Sequence, residues 1–180
     1  MTTPFRPSQI YIEEVVQALP LTQKISAMFS GIPQTVVTHQ REIKTTQEMT
    51  WAKKGLFLSR FKPDLPIKTF DAMAESSGRP HFSLNLISNC HLECTYCILQ
   101  SYLANNPMIT IFTNVEEILE KFAAQLLSLP PNSVIGTGKI ADSLALEPIT
   151  GFQARLIEFV AQTSHNFLLE LKLKVSGFLI

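Results

Sequence analysis

Phe82-Ser83-Leu84-Asn85-Leu86-Ile87 is separated by only Ser88 and Asn89 from Cys90-His91-Leu92-Glu93-Cys94-Thr95-Tyr96-Cys97. The first stretch reads as a strand, rich in large apolar residues and preceded by the breakers Gly78 and Pro80. The second holds all three cysteines of the chain in a Cys-x3-Cys-x2-Cys loop. An odd number of cysteines crowded into one loop argues against a disulfide framework. Thiolates are soft ligands that suit zinc or iron–sulfur clusters. A 4Fe-4S cluster ordinarily takes four cysteines, so a chain with three leaves one iron open to bind and activate a ligand. Zinc held by the three cysteines with His91 or His81 is the competing reading. The adjacency of His91 to Cys90 strains joint ligation of one ion. Packed thiols without metal are the third reading.

Beyond the loop, Met108 to Phe112 is a short β-branched run, and Asn114 is placed to cap a helix from Val115 to Leu127. Glu116 and Glu117 fall in its first turn, where the helix dipole favours acids. Pro130 and Pro131 stop it. Val134 and Ile135 begin a strand that runs into Gly136-Thr137-Gly138. A helix opens at Thr150 or Gly151 with Leu156, Ile157, Phe159 and Val160 on its apolar face, and Phe167 to Leu173 is the next strand. Strands alternating with helices predict βα units of a parallel sheet or barrel. About three such units fit after residue 80, against roughly six to eight strands for closure, so the expected fold is α/β with a partial barrel.

Before the loop, Ile12, Val15, Val16 and Leu19 have helical spacing, which predicts a helix over residues 10–18 ended by Pro20. Thr22 is placed to cap a second helix carrying Ile25, Met28 and Phe29. Val36 and Val37 predict a strand over Thr35–Thr38, and Gly55 to Phe61 predicts another. Residues 40–54 are polar and mixed and carry no clear periodicity. The breakers near residue 80 divide the chain into a small α+β region, 1–80, and a partial core with the cysteine loop, 81–180.

Composition narrows the function classes. Hydrophobic residues make up 46% of the 180, enough for a buried core. Fifteen Lys plus Arg balance fifteen Asp plus Glu, which excludes a bulk electrostatic grip on nucleic acid; any such contact needs a local patch. No apolar run approaches 18 residues, and Met1 to Arg6 does not lead into a secretory apolar core. The expectation is a cytoplasmic protein with no membrane partner.

The cysteine loop, following a first barrel strand and carrying Tyr96 before its last thiol, resembles the radical S-adenosylmethionine superfamily. Cys94-Thr95-Tyr96-Cys97-Ile98-Leu99-Gln100 is similar to the cluster loop of spore photoproduct lyase and its relatives. Further similar words follow in order: Ile111-Phe112-Thr113-Asn114-Val115-Glu116-Glu117-Ile118-Leu119, Gly136-Thr137-Gly138-Lys139 with Asp142-Ser143-Leu144, and Glu170-Leu171-Lys172-Leu173-Lys174. The opening Tyr11-Ile12-Glu13-Glu14 with Pro20-Leu21 also fits the family's start.

The resemblance implies roles. Cys90, Cys94 and Cys97 would each ligate an iron of a 4Fe-4S cluster, and the fourth iron would chelate S-adenosylmethionine. Tyr96 would lie against the adenine. Gly136 and Gly138 would let backbone approach the methionine moiety, and Lys174 would face its carboxylate. An external electron donor would trigger cleavage of the cofactor to a 5′-deoxyadenosyl radical. In a full-length form the implied substrate is a thymine photolesion in DNA and the implied reaction class a carbon–carbon lyase. The chain departs from this pattern in three ways. The loop Gly138-Lys139-Ile140-Ala141-Asp142 has no cysteine where the lyases carry a hydrogen donor, Ile98 replaces an aromatic residue, and the family's C-terminal barrel half is not represented. The expectation is therefore an N-terminal portion of such a lyase. A non-catalytic zinc or iron–sulfur module, or an inactive truncated fragment, stands as the alternative.

Overall fold

Ile10 and Ile12 alternate with Gln9 and Tyr11, and in the computed structural model this period of two prevails over the helical spacing around it. The structure describes residues 5–44, 53–62, 66–69, 78–99, 108–163 and 166–173. Strand β1 (Gln9–Glu13) lies parallel between β2 (Gln34–Val37) and β3 (Gly55–Ser59), with Ile10 opposite Leu56 and Ile12 opposite Leu58. The helix expected over residues 10–18 is thus a strand followed by a 3-10 turn, Glu14–Val16. Stiff β-branched side chains suit a pleated surface, and a parallel strand on each side offers ladder partners to the backbone. Pro20 opens a helix instead of closing one. It takes the first position of α1 (Pro20–Met28), where a missing N–H costs nothing. Thr22 does not cap that helix; it is buried inside it and donates to the Thr113 hydroxyl at 2.9 Å.

Strands from both sides of residue 80 share the first sheet. Its order is β2-β1-β3-β7-β6, where β7 is Ile109–Phe112 and β6 is Ile87–Ser88, antiparallel to β7. The second sheet runs β4-β5-β8-β9: β4 (Ile67–Thr69), β5 (His81–Leu84), β8 (Ser133–Thr137) and β9 (Phe167–Leu171). Here β5, β8 and β9 are parallel and β4 is antiparallel. The architecture is mixed α/β, with two open sheets among the described residues. The single strand expected over Phe82–Ile87 is split at Asn85-Leu86, so that β5 joins one sheet and β6 the other. The segment entering the cysteine loop therefore stitches the two sheets together.

Helix α2 (Val115–Leu126) reinforces that junction. Asn114 stands at its N-cap but its side chain makes no capping bond. Its Oδ1 instead accepts from the Phe61 N–H at 2.8 Å, and its Nδ2 donates to Phe61 O at 3.1 Å. Gln125 treats Ile67 the same way, at 2.9 and 2.8 Å. Two primary amides thus imitate strand pairing, one holding the exit of β3 and the other β4. Phe122, fully buried between them, meets Phe159 of α4 (Phe152–Ala161) at 5.7 Å and Phe167 at 6.3 Å between ring centroids. A short helix α3 (Glu147–Thr150) precedes α4. One continuous core links Ile10, Leu58, Ile111, Phe122, Ile135 and Leu156 across both sheets. Burying a side chain such as Phe122 contributes about 1.5–3 kcal/mol. No helix among the described residues is long and apolar enough to cross a membrane.

Candidate cofactor site

Three loops meet beyond the carboxyl ends of β5, β8 and β9, the place where parallel sheets present ligand sites. Cys90, Cys94, Cys97 and Tyr96 line one part of a cavity of about 390 Å³, and Gly138, Lys139, Asp142 and Lys172 line another. No disulfide joins the thiols. Cys90 is buried, Cys94 and Cys97 are half-buried, and Tyr96 is 70% exposed at the rim. A turn in which the Cys97 N–H donates to Cys94 O at 3.0 Å keeps the last two thiols close.

Backbone geometry fixes where the loop begins. Asn89 adopts the left-handed region (φ 65°), which asparagine tolerates better than most residues, and its Oδ1 accepts from the Cys90 N–H at 2.9 Å. The Asn89 N–H donates to Ile140 O at 2.6 Å, tying the cysteine loop to the loop after β8. That second loop is fastened in turn by Ser143. Its hydroxyl lies 2.8 Å from Thr137 Oγ1 and accepts from the Lys172 N–H at 3.0 Å, while its own N–H donates to Lys172 O at 3.0 Å. Gly138 has φ 76°, and a Cβ there would run into Ser143 Oγ and come within 2.9 Å of Ala141 O and 3.0 Å of Lys172 O. Only glycine fits.

Six of the seven residues singled out from the sequence can be located. Cys90, Cys94, Cys97, Tyr96 and Gly138 share the cavity. Gly136 does not line it: it sits buried in β8, where an added Cβ would meet the Glu170 carboxylate at 3.0 Å. Lys174 lies outside the described residues. Lys172 and Lys139 are the cations on the cavity wall. The Lys172 ammonium is 3.5 Å from Glu170. Burial and then Lys172 push the Lys139 pKa down to about 8, with Glu170 pulling it back up. Neither histidine joins the thiols. His81 opens β5, at the strand end away from the loop, and the His91 ring stacks on Phe5 at 5.1 Å. Burial, with the Lys53 ammonium, lowers the His91 pKa against the opposing pull of Asp142. Among the described residues no three Cys, His, Asp or Glu side chains converge tightly enough for a single metal ion.

A larger cavity, about 750 Å³, opens at the carboxyl ends of β1, β3 and β7. Ser88 and Ile140 line it, next to the Cys90, Lys139 and Ala141 that line the smaller one. Its walls carry His39, Arg41, Arg60, Lys62 and Lys68 around one carboxylate, Glu13. Burial would raise the Glu13 pKa, but bonds from the Arg60 N–H at 2.9 Å, Lys62 at 2.9 Å and the Ser59 hydroxyl at 2.7 Å outweigh it and lower the value.

Residues 5–174 match the family model for spore photoproduct lyase. The chain belongs to the spore photoproduct lyase family. It is 24% identical over 168 residues to spore photoproduct lyase of Bacillus subtilis (strain 168), covering 91% of this chain and 48% of that protein. The enzyme of Geobacillus sp. (strain Y412MC61) is 22% identical over 169 residues, covering 91% and 48%. The fold agrees with a solved spore photoproduct lyase complexed with dinucleoside spore photoproduct, with a TM-score of 0.79 at 22% identity over 93% of this chain and 49% of that one. A doubly substituted spore photoproduct lyase with bound AdoMet and the same dinucleoside gives a TM-score of 0.78 at 20% identity, again over 93% and 49%. The chain spans about half the length of the curated lyases it matches.

Proposed function

We propose that this chain is a radical S-adenosylmethionine protein that carries a 4Fe-4S cluster on Cys90, Cys94 and Cys97 and serves repair of thymine photolesions in DNA. The convergence of three thiols, Gly138 and Lys172 on one cavity beyond parallel strand ends carries the reading. The thiols are soft donors, among the described residues no histidine joins them, and open volume adjoins them, all of which favours a cluster with one vacant iron. On this reading β5, β8 and β9, within residues 81–180, are the first strands of a partial radical-SAM barrel, and residues 1–80 are the region before it.

Held by Cys90, Cys94 and Cys97, the cluster would supply one-electron reduction of S-adenosylmethionine from an external donor, giving methionine and a 5′-deoxyadenosyl radical. The chain's own residues hold and orient. Tyr96 at the rim covers the adenine, Gly138 lets the protein backbone approach the methionine moiety, and Lys139 and Lys172, with Lys174 as the resemblance implies, attract its carboxylate. Gly136 keeps β8 slim beside Glu170. The cationic cleft supplies the local patch that the zero net charge demands, with Arg41, Lys68 and their neighbours facing a phosphate backbone. The loop Gly138–Asp142 contains no thiol, so the hydrogen returned to the substrate is not assigned to it.

Anaerobic reconstitution tests the proposal. The wild-type chain is expected to bind about four irons and about four sulfides and to release 5′-deoxyadenosine from S-adenosylmethionine under a low-potential reductant. Cys97→Ala should lose both. A colourless chain holding one zinc ion defeats the reading.

A further inference from the structure

Lys53 is 3% exposed, an unusual place for an ammonium. Its Nζ donates to Cys90 O at 2.6 Å and to Asn89 Oδ1 at 3.0 Å. The same Oδ1 accepts the Cys90 N–H at 2.9 Å. One cation therefore holds Cys90 from both sides, its carbonyl directly and its N–H through Asn89 Oδ1, and it does so across 37 residues of chain. Both acceptors are neutral, so neither supplies a negative charge to offset the ammonium. A buried, hydrogen-bonded lysine is expensive to keep, and burial is strongly unfavourable unless another group answers it.

We propose that Lys53 is a positioning residue for the iron–sulfur cluster, clamping the Cys90 end of the loop and placing a fixed positive charge behind its first thiolate. This rests on the cluster reading above. A cluster on three thiolates is anionic and gains further negative charge on reduction, so a buried cation beside it stabilises the reduced form and raises its potential. The ammonium answers a charge that arrives with the cofactor. The clamp also explains why Asn89 is held in the left-handed region: there its Oδ1 faces both Lys53 and the next N–H.

Two readouts separate this inference from the reading beneath it. In the metal-free chain, alkylation of each cysteine by iodoacetamide is followed by mass spectrometry. Lys53→Met should alkylate Cys90 about tenfold faster, as the loop start opens locally, with Cys94 and Cys97 unchanged. Lys53→Arg should stay near wild type. In the reconstituted protein, a dye-mediated titration followed by electron paramagnetic resonance should give Lys53→Met a lower midpoint. The expected shift is about tenfold in the oxidised-to-reduced ratio, or about 59 mV for one electron. An unchanged Cys90 rate overturns the clamp, and an unchanged midpoint in a fully loaded variant overturns the charge effect. If wild type takes up no iron, the cluster reading fails and takes the charge effect with it, while the alkylation rates still judge the clamp. Should Lys53→Met lose its fold by circular dichroism, Asn89→Gly carries the test. Glycine keeps the left-handed backbone and removes the side chain that carries the shared oxygen; faster Cys90 alkylation upholds the clamp and an unchanged rate overturns it.

Discussion

The two sheets are built from similar strands and spend them differently. In the first, β3 is buried along its whole length, and its polar end is closed by Glu13, which gathers Ser59, the Arg60 amide and Lys62 around one carboxylate. In the second, β9 is only partly buried, and its end carries Glu170, Lys172 and the nearby Lys139 around a cavity. Around Glu13 the first sheet satisfies its polar groups internally, as a scaffold does. The other keeps two ammoniums and three thiols turned toward a shared volume. The contrast predicts that stability resides mainly in the first sheet and cofactor binding in the second.

The largest expected effect strikes the scaffold. Leu58→Ala removes a fully buried side chain at the centre of the first sheet and should cost about 3 kcal/mol. The thermal midpoint should fall by roughly 10 °C for a chain of this size. Iron bound per folded chain should not change. A variant that melts normally, or that folds but no longer takes up iron, would break the division between the sheets.

Glu13→Gln comes next. It keeps the shape and removes the charge from a group that accepts three bonds, at a cost of about 2 kcal/mol. Because the folded-state pKa of Glu13 lies below its ordinary value, its stabilising contribution is complete at neutral pH and is lost as pH falls through that lowered pKa. Wild type and variant should therefore differ at pH 7 and converge only in acid, below the lowered pKa of Glu13. Denaturant melts at both pH values check this. A gap that persists in acid would show that packing, not charge, makes Glu13 matter.

How much of this contrast the sequence carried depends on how local each signal was. The cysteine loop, helix α2 with its stop at Pro130-Pro131, and the β8 and β9 strands were legible because neighbouring residues specify them. β1 was not. Ile12, Val15, Val16 and Leu19 fit a helix as well as Ile10 and Ile12 fit a strand, and the choice is made by β3, more than forty residues away. Asn114 looked like a cap because Glu residues follow it, yet Phe61 competes for its amide. Within the candidate site the thiols, Tyr96 and Gly138 could be named in advance. Lys53 could not, since nothing in a polar stretch marks which lysine will be buried. Lys172 and Lys174 alternate identically, and only the end of β9 at Leu171 turns the backbone of Lys172 toward Ser143.

Gly136 in β8 and Gly138 in the loop after it sharpen the contrast inside the second sheet. Gly138→Ala forces a side chain into a left-handed backbone and against two carbonyl oxygens, and should cost about 1–2 kcal/mol. It should also weaken S-adenosylmethionine binding to the loaded protein by about tenfold, because the cavity wall must move. Gly136→Ala meets only the movable end of Glu170 and should cost less than about 1 kcal/mol with little effect on binding. Isothermal titration on both variants decides it. Equal losses would mean that the strand, not the loop beyond it, forms the wall.

The smallest effect is a slope with pH. Lys139 is held near a pKa of about 8 by burial and by Lys172, whereas in the unfolded chain it keeps its proton to roughly pH 10. Between these values the unfolded state binds more protons than the folded one, so this residue makes stability rise as pH rises through that window. Lys139→Met removes the contribution, and the difference between the wild-type and variant melting curves should grow in favour of wild type from pH 8 to pH 10. A ligand carboxylate seated against Lys139 and Lys172 would favour the charged lysine and flatten the slope. Glu13 should show no such response to S-adenosylmethionine, because its partners, Lys62, the Ser59 hydroxyl and the Arg60 N–H, all belong to the fold. Adding S-adenosylmethionine to the reconstituted wild type should therefore change the alkaline slope and leave the acid one alone. If the acid limb moves instead, the cleft around Glu13 is the ligand site and the roles of the two sheets are reversed.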